Sequence, residues 1–237
     1  GAGPASLTVA NDLMPLGYDV TIYEKHGKGG GLMRVNIPSF RLPAEVLDEE
    51  INYIIDMGVT MKWNTPVSSM KSLLAEGYDA VFVGSGAPKG KNLDIPGRVE
   101  ASANIHIGIE WLASVHFGHI EKIGKRVLII GVGNTAMDCC RASKRLGGND
   151  VKVIARRGRK YFKASPWELE DAEEEQVQIV ENHAPKRFVM ENGKLVGMEF
   201  EQLEWSEEGG KQKSKVTGTV IIPCDDVILA IGQDNAF

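Results

Sequence analysis

Two glycine-rich turns carry the residue types and spacing that could do chemistry. In the second, Gly131, Gly133 and Ala136 match the pattern G-x-G-x-x-G/A, between the apolar run 127–130 and a helical pattern. The first glycine of such a pattern allows a tight turn, and the second lets a pyrophosphate approach the backbone. The small third residue lets helix and strand pack closely, while N–H groups at the helix start face the phosphates. The turn therefore predicts a dinucleotide site, and the alternative is a glycine-rich turn in an ordinary α/β protein.

The residues after the next predicted strand bear on which dinucleotide is bound. Arg156, Arg157, Arg159 and Lys160 stand where an NAD site has a carboxylate for the ribose hydroxyls. Because a guanidinium suits a phosphate, we predict NADP(H), with its 2′-phosphate on Arg156 or Arg157. Use of NAD stays open, as does the alternative that these cations form a solvated basic loop.

The first turn opens the sequence with Gly1 and Gly3, and Ser6 occupies the third position where glycine is preferred. Glu24 ends the following apolar run, where a carboxylate can accept hydrogen bonds from both hydroxyls of an adenosine ribose. The alternative is that Glu24 is an exposed strand end. One acidic and one basic ribose site in the same chain favour two different dinucleotides over two copies of one.

The elements that must position these turns alternate between strands and helices, which predicts parallel sheets covered by helices. A strand–turn–helix unit occurs twice, so we predict an α/β fold with two Rossmann-like domains. The predicted strands are residues 18–25, 59–67, 78–87, 125–130, 150–155, 194–205, 215–225 and 225–232, those at 194–205 and 215–225 being antiparallel. The predicted helices are residues 7–16, 44–58, 69–77, 104–118, 134–146 and 165–175.

Composition excludes several function classes. The net charge of −5, with no long basic tract, argues against a nucleic-acid partner. No run of 18 apolar residues is present, which argues against a membrane span. The three cysteines, Cys139, Cys140 and Cys224, fit neither a CxxC motif nor a zinc spacing. We therefore predict a reducing, cytoplasmic compartment and no disulfide scaffold.

Other reactive residue types have simpler interpretations. We interpret Cys139 and Cys140 as packing residues, because adjacent side chains on a helix point in different directions. The spacing of His106, His116 and His119 favours packed or surface histidines over a metal site, so we predict none. The acidic run 168–175 could be a docking face, although a solvated helix face is the simpler interpretation.

Eight motifs in one order resemble the small, flavin-containing subunit of glutamate synthase and its relatives, a family of FAD/NAD(P)-dependent oxidoreductases. They are GAGPASL, VTIYEK, GGLMRVNIPSFRLPAEVLDEEI, YDAVFVGSGA, GVGNTAMDCCR, ARRGR, AEEEQV and DDVILAIG. The resemblance covers nearly the whole chain. It implies a split FAD domain (1–100 and 225–237) with an inserted NAD(P)H domain (101–224).

The resemblance also implies cofactor contacts. The implied FAD contacts are Gly1, Gly3, Ala5, Ser6, Glu24, Lys25, Gly31, Leu32 and Val67, and Gly84, Ser85 and Gly86 replace an Ala-Thr-Gly turn. The implied NADPH contacts are Gly131, Gly133, Asn134, Thr135, Arg156 and Arg157, and Gly232 lies near the join between the domains.

The implied activity is hydride transfer between NADPH and FAD, for which we nominate no catalytic side chain. Electrons are then expected to reach an iron–sulfur centre in another region or a partner subunit. Against the family pattern, the strand before the first turn, the segment after residue 237 and a cysteine series are missing. We therefore expect an internal fragment, truncated at both ends, and keep two alternatives: a nucleotide-binding remnant without flavin, and an inactive scaffold subunit.

Overall fold

The computed structural model describes residues 1–209 and 211–236. The chain divides into two compact units, residues 1–89 with 235–237 and residues 90–234. The predicted boundaries lie near 100 and 224, whereas the structure divides the chain after Lys89 and after Asp234. The later boundary has a clear physical reason, because the strand at 226–229 is hydrogen-bonded within the second unit's sheet.

The first unit begins with the helix that the first glycine turn predicts. Its helices are α1 (Pro4–Leu13), α2 (Leu32–Val35), α3 (Ala44–Ile55) and α4 (Met70–Leu74), and its strands are β1 (Thr21–Tyr23) and β2 (Thr60–Lys62). A 3₁₀ turn, Met14–Leu16, continues α1 until Gly17 ends it with a φ of 85°. That left-handed conformation costs glycine little, so the predicted stop at Gly17 is confirmed.

The core of the first unit lies between its helices and a small parallel sheet. Strands β1 and β2 pair in parallel, with Thr21 opposite Thr60. Leu47 and Ile51, one turn apart on α3, are buried with Leu7 of α1 and Ile22 of β1. The apolar spacing of three and four residues therefore places one side of α1 and one side of α3 in the core.

The second unit contains a five-stranded, wholly parallel sheet. Its order is β4 (Ile105–Ile107), β11 (Asp226–Leu229), β5 (Arg126–Ile130), β6 (Asp150–Ile154) and β7 (Gln178–Val180). Its helices are α5 (Gly108–His116), α6 (Asn134–Arg145) and α7 (Pro166–Glu174). The short strands β3 (Lys89–Gly90) and β12 (Gln233–Asp234) stand at the ends of this unit.

The two faces of this sheet are covered by different layers. Alternate residues of a strand point to opposite faces. Val127 and Ile129 pack with the helix residues Trp111 and Met137, whereas Leu128 packs on the opposite side. Burial on both faces explains why residues 127–130 of β5 are continuously apolar rather than alternating.

An antiparallel sheet forms the layer opposite the helices. It consists of β8 (His183–Glu191), β9 (Lys194–Glu208) and β10 (Lys211–Pro223), in the order β10-β9-β8. Asn192 and Gly193 connect β8 to β9 with positive φ angles of 48° and 74°, as expected for a tight hairpin turn. The predicted antiparallel strands are confirmed, and the helical layer, parallel sheet and antiparallel sheet form three layers.

Two predicted elements are wrong. The segment 78–87 does not form a buried strand: Phe82 and Val83 are 56% and 49% exposed, and no strand among the described residues pairs with it. An apolar run becomes a buried strand only where neighbouring strands satisfy its backbone groups. Residues 105–107, predicted as helix, form β4, because Ile105 pairs with Val227 of β11 and tertiary pairing overrides the local pattern.

No helix in the described part of the chain is both long and apolar enough to cross a bilayer.

Candidate functional site

The second glycine turn has a geometry that only glycine can adopt at its first position. Gly131 follows β5 with a φ of 121°, and a Cβ added to it would lie 2.3 Å from the carbonyl oxygen of Ala230. The Gly131 N–H donates to the carbonyl of Ile154 at 3.2 Å, which ties the turn to β6. The turn therefore lies at the carboxyl edge of the parallel sheet, where open α/β folds bind ligands.

The second position of the turn leaves the start of α6 open. Gly133 is the N-cap of α6, and no side chain caps the helix there. A Cβ added to Gly133 would meet no atom within 4 Å, whereas the third residue, Ala136, is fully buried. The helix start thus presents backbone N–H groups beside open space, the arrangement that suits a pyrophosphate.

A cleft of about 1260 Å³ in the second unit opens at this turn. Typical small-ligand sites occupy roughly 300–1,000 Å³, so a dinucleotide has enough room. The predicted residues that line the cleft are Gly131, Gly133, Thr135, Arg156, Arg157 and Gly232. The prediction omitted further lining residues, among them Tyr161, Lys163, His183 and Glu201.

The four cations of the basic loop have different surroundings. Arg156 and Arg157 are exposed and line the cleft, and no described carboxylate lies within ion-pair distance of either. Arg159 is bidentate with Glu173, with Nη2 2.9 Å from Oε2, and its backbone N–H donates to Glu181. Arg156 and Arg157 are therefore the two arginines placed to meet an anion in the cleft.

The side chain of Asn134, predicted to contact the cofactor, makes a different contact. Its Oδ1 accepts the backbone N–H of Ser165 at 2.9 Å. Ser165 is the N-cap of α7, but its hydroxyl does not cap that helix. Asn134 thus links the starts of α6 and α7, while its neighbour Thr135 lines the cleft.

The first glycine turn is joined to the predicted acidic residue. Glu24 is only 6% exposed, so the alternative of an exposed strand end is wrong. Its Oε2 accepts the Ala2 N–H at 2.7 Å, and its Oε1 accepts the His26 N–H at 2.9 Å. Because two carboxylate oxygens offer about four acceptor positions, Glu24 retains capacity for ribose hydroxyls.

Small residues surround the start of α1. No side chain caps Gly3, the N-cap of α1. A Cβ on Gly31 would lie 3.1 Å from the Gly3 Cα, and one on Gly84 would lie 2.0 Å from the Ser6 Oγ. The unpreferred serine at the third position of the turn is therefore accommodated because Gly84 has no side chain.

The remaining predicted contacts of the first unit differ in their surroundings. Leu32 begins α2 directly after Gly31. For Lys25 and Val67, the described chain shows no hydrogen bond or ion pair to the turn. Three other predicted contacts are exposed to solvent: Ala5 at the start of α1, and Ser85 and Gly86.

The two adjacent cysteines are packing residues, and the predicted histidines do not form a metal site in the described chain. Cys139 and Cys140 are fully buried, as predicted, and burial raises the pKa of the Cys140 thiol to about 12. His106 Nε2 lies 3.1 Å from the Asp226 carboxylate. In the part of the chain that is described, no three His, Cys, Asp or Glu residues form a group that could hold a metal ion.

The acidic helix α7 pairs one side with α6, while Glu170 and Glu174 are exposed. Arg141 of α6 lies 2.8 Å from Asp171 and 2.9 Å from Glu175, and it also contacts the buried Glu168 at 3.5 Å. Arg145 contacts Glu175 as well. Burial alone raises the pKa of Glu175, but the two guanidinium groups outweigh it and hold that pKa below its ordinary value. The acidic run thus attaches α7 to α6.

Among solved structures, the chain resembles FprA of Mycobacterium tuberculosis in complex with NADPH, with a TM-score of 0.83, 18% identity, and coverage of 98% of this chain and 69% of FprA. It also resembles thioredoxin reductase of Lactococcus lactis, with a TM-score of 0.63, 18% identity, and coverage of 99% and 76%. These similarities confirm the predicted fold class of two Rossmann-like domains.

Two curated relatives are more similar in sequence. The NADPH-Fe(3+) oxidoreductase subunit beta of Geobacter sulfurreducens is 36% identical, over 99% of this chain and 36% of the relative. The NADP(+)-dependent formate dehydrogenase subunit beta of Moorella thermoacetica is 37% identical, over 98% of this chain and 34% of the relative. The chain thus spans about a third of the length of these relatives.

The family model described as pyridine nucleotide-disulphide oxidoreductase matches residues 1–236. Both the match and the two glycine turns extend over the two units, so the assignment does not rest on one motif. The chain belongs to the pyridine nucleotide-disulphide oxidoreductase family, which confirms the predicted class of FAD/NAD(P) oxidoreductase and its cofactors, FAD and NADP.

Proposed function

We propose that this chain is the nucleotide-binding part of a flavin oxidoreductase that passes hydride between NADPH and FAD. The observation that carries the proposal is the cleft at the second glycine turn, which is lined by an uncapped helix start and by two arginines without a described carboxylate partner. A dinucleotide with a 2′-phosphate matches this distribution of charge, with pyrophosphate at one end and the extra phosphate at the other.

The proposed NADPH site assigns one role to each group of residues. Gly131, Gly133 and Thr135 would surround the pyrophosphate at the start of α6. Arg156 and Arg157 would receive the 2′-phosphate. Asn134 would act indirectly, by fixing the start of α6 against Ser165.

The proposed FAD site uses the first turn. Gly1 and Gly3 would approach the pyrophosphate, and Glu24 would accept hydrogen bonds from the adenosine ribose. The tight packing of Gly31 on Gly3 and of Gly84 on Ser6 keeps side chains out of this region. Bound FAD and NADPH would supply the hydride chemistry, whereas this chain would bind and orient them.

The names of the relatives support both the coenzyme and a multisubunit setting. One relative is named for NADPH, another for NADP(+), and both are named as beta subunits. We therefore propose that electrons pass between the flavin and an iron–sulfur centre or partner subunit, as in the glutamate synthase small subunit. We also propose a cytoplasmic location, in keeping with three unpaired buried cysteines.

A second candidate function is nucleotide binding without flavin. It is favoured by one observation: the sheet of the first unit has two strands, and the segment 78–84 does not pair with either in the described chain. The second unit, by contrast, has a complete five-stranded sheet around its glycine turn. A chain with this difference could retain NADPH and lose FAD.

Absorbance spectroscopy separates the two candidates. The purified protein should be yellow after reconstitution with FAD, and anaerobic NADPH should bleach its visible absorbance through flavin reduction. Glu24→Gln should weaken FAD binding and leave NADPH binding unchanged, with Glu45→Gln on an exposed part of α3 as the matched control. A colourless protein that binds NADPH would support the second candidate, and one that binds neither would contradict both.

A further inference from the structure

The basic loop is held by aromatic side chains from two directions. The guanidinium carbon of Arg157 lies 5.3 Å from the ring centre of Tyr161 and 4.8 Å from that of Trp205. Both distances are within the range of a cation–π interaction. Arg157 is therefore fixed without an ion pair to any described carboxylate, so its charge is not neutralised within the described chain.

Trp205 also fixes the backbone of the loop. Its indole Nε1–H donates to the carbonyl oxygen of Arg156 at 3.2 Å. Trp205 lies on β9, 49 residues along the chain from Arg156. The antiparallel sheet thus reaches one end of the nucleotide cleft and contacts both arginines that line it.

A residue of β10, the strand that pairs with β9, contacts Tyr161. The Gln212 side chain donates to the Tyr161 hydroxyl. In the register of β9 and β10, Trp205 lies opposite Ser214 and Glu207 lies opposite Gln212. Because residues two apart share a face of a strand, Trp205 and Gln212 lie on the same face of the hairpin. That face supports the basic loop at two points.

We propose that Trp205 and Tyr161 are positioning residues that give the cleft its preference for a 2′-phosphorylated coenzyme, an inference that rests on the proposed function. Arg157 loses less side-chain freedom on binding a phosphate if aromatic rings already restrain it. A guanidinium covered by a ring can still donate N–H groups from its edge. Since NADH lacks the 2′-phosphate, this effect applies to NADPH alone.

The neighbouring cations do not share this arrangement. Arg159 is bidentate with Glu173, and that hydrogen bond raises the pKa of Arg159 further above its ordinary value. The Lys160 Nζ lies 5.0 Å from the ring centre of Tyr161, but it is Arg157 that lies over the ring of Trp205. Arg157 is thus the cation of the loop that both aromatic rings hold.

The test compares the dissociation constants of NADPH and NADH by isothermal titration calorimetry. Trp205→Ala should weaken NADPH binding by about 3- to 10-fold, the range expected for a lost cation–π contact, and leave NADH binding unchanged. Trp167→Ala removes an indole that is 63% exposed and does not line the cleft, so it should change neither constant. Circular dichroism should show the same folded content in both variants.

A double-mutant cycle distinguishes positioning from a general structural role. If Trp205 acts through Arg157, adding Trp205→Ala to Arg157→Ala should not lower the NADPH preference further. This inference would be overturned if Trp205→Ala weakened NADPH and NADH binding equally, or left the ratio of the two dissociation constants unchanged. The proposed function would still stand in that case, provided that the parent protein binds NADPH. A parent protein that binds neither coenzyme would overturn both.

Discussion

The two glycines of the second turn should respond in opposite ways to the same substitution, Gly→Ala. At Gly131, the added Cβ would lie 2.3 Å from the Ala230 carbonyl oxygen and 2.8 Å from its carbon. At Gly133, the added Cβ would meet nothing within 4 Å. One substitution therefore tests the fold, and the other tests the ligand site.

The structure sets the size of the two effects. Gly131 has a φ of 121°, a region in which a residue with a side chain costs about 1–3 kcal/mol before any clash is counted. With the backbone of Ala230 in the way, we expect Gly131→Ala to lower the free energy of unfolding by about 3 kcal/mol or more. This corresponds to a Tm lower by about 6–12 °C. Gly133 has a φ of −101°, so Gly133→Ala should cost at most about 1 kcal/mol.

Binding should show the reverse order. A methyl group on Gly133 would occupy the space beside the helix start where we place the pyrophosphate, so NADPH should bind at least about 10-fold more weakly. Urea unfolding followed by circular dichroism gives the stabilities, and calorimetry gives the dissociation constants. If Gly131→Ala proves as stable as the parent, the turn geometry is wrong. If Gly133→Ala keeps full NADPH affinity, the assigned phosphate position is wrong.

Four further results follow from other parts of the structure. Gly84→Ala should destabilise the first unit, because the new Cβ would lie 2.0 Å from the Ser6 Oγ; in the Ser6→Ala background the loss should be smaller, which thermal unfolding would reveal. Arg141→Ala should lower the free energy of unfolding by about 3 kcal/mol, since it removes contacts with three carboxylates. The lowered pKa of Glu175 contributes stability that is present above the ordinary pKa and is lost as pH falls through the lowered one. Below about pH 4.5, the free energy of unfolding should therefore fall less steeply with decreasing pH in Glu175→Gln than in the parent. Finally, a thiol reagent at neutral pH should react with the folded protein only after denaturant is added, because burial raises the pKa values of two thiols to about 12 and covers all three: Cys139, Cys140 and Cys224.

Local signals were sufficient to predict the second glycine turn. Within about two dozen residues, the sequence has a continuously apolar strand, two glycines, a small residue and an amphipathic helix ended by Gly147, whose φ is 102°. Each of these signals is a property of neighbouring residues. The position of Arg156 and Arg157 followed from the next strand, and both line the cleft as the spacing indicated.

Features that depend on distant partners could not be predicted in this way. The apolar composition of residues 78–84 is typical of a buried strand, yet no partner strand in the described chain pairs with it. Trp205 reaches Arg157 from 48 residues along the chain, and nothing in its immediate sequence marks it as part of a nucleotide cleft. An aromatic residue on a predicted hairpin is most simply interpreted as packing.

The role of the acidic run 168–175 depends on the residues that face it from α6. Taken alone, the five glutamates and one aspartate of residues 168–175 indicate a solvated face or a docking surface. In the structure, Arg141 and Arg145 project from α6 toward α7, and Glu168 is 2% exposed. Because Gly133 is the N-cap of α6, fixing the body of α6 also fixes the N–H groups that we assign to the pyrophosphate. Its contacts to α7 therefore bear on nucleotide binding through the rigidity of one helix, and a loss of stability in Arg141→Ala should be accompanied by weaker binding of NADPH and NADH alike.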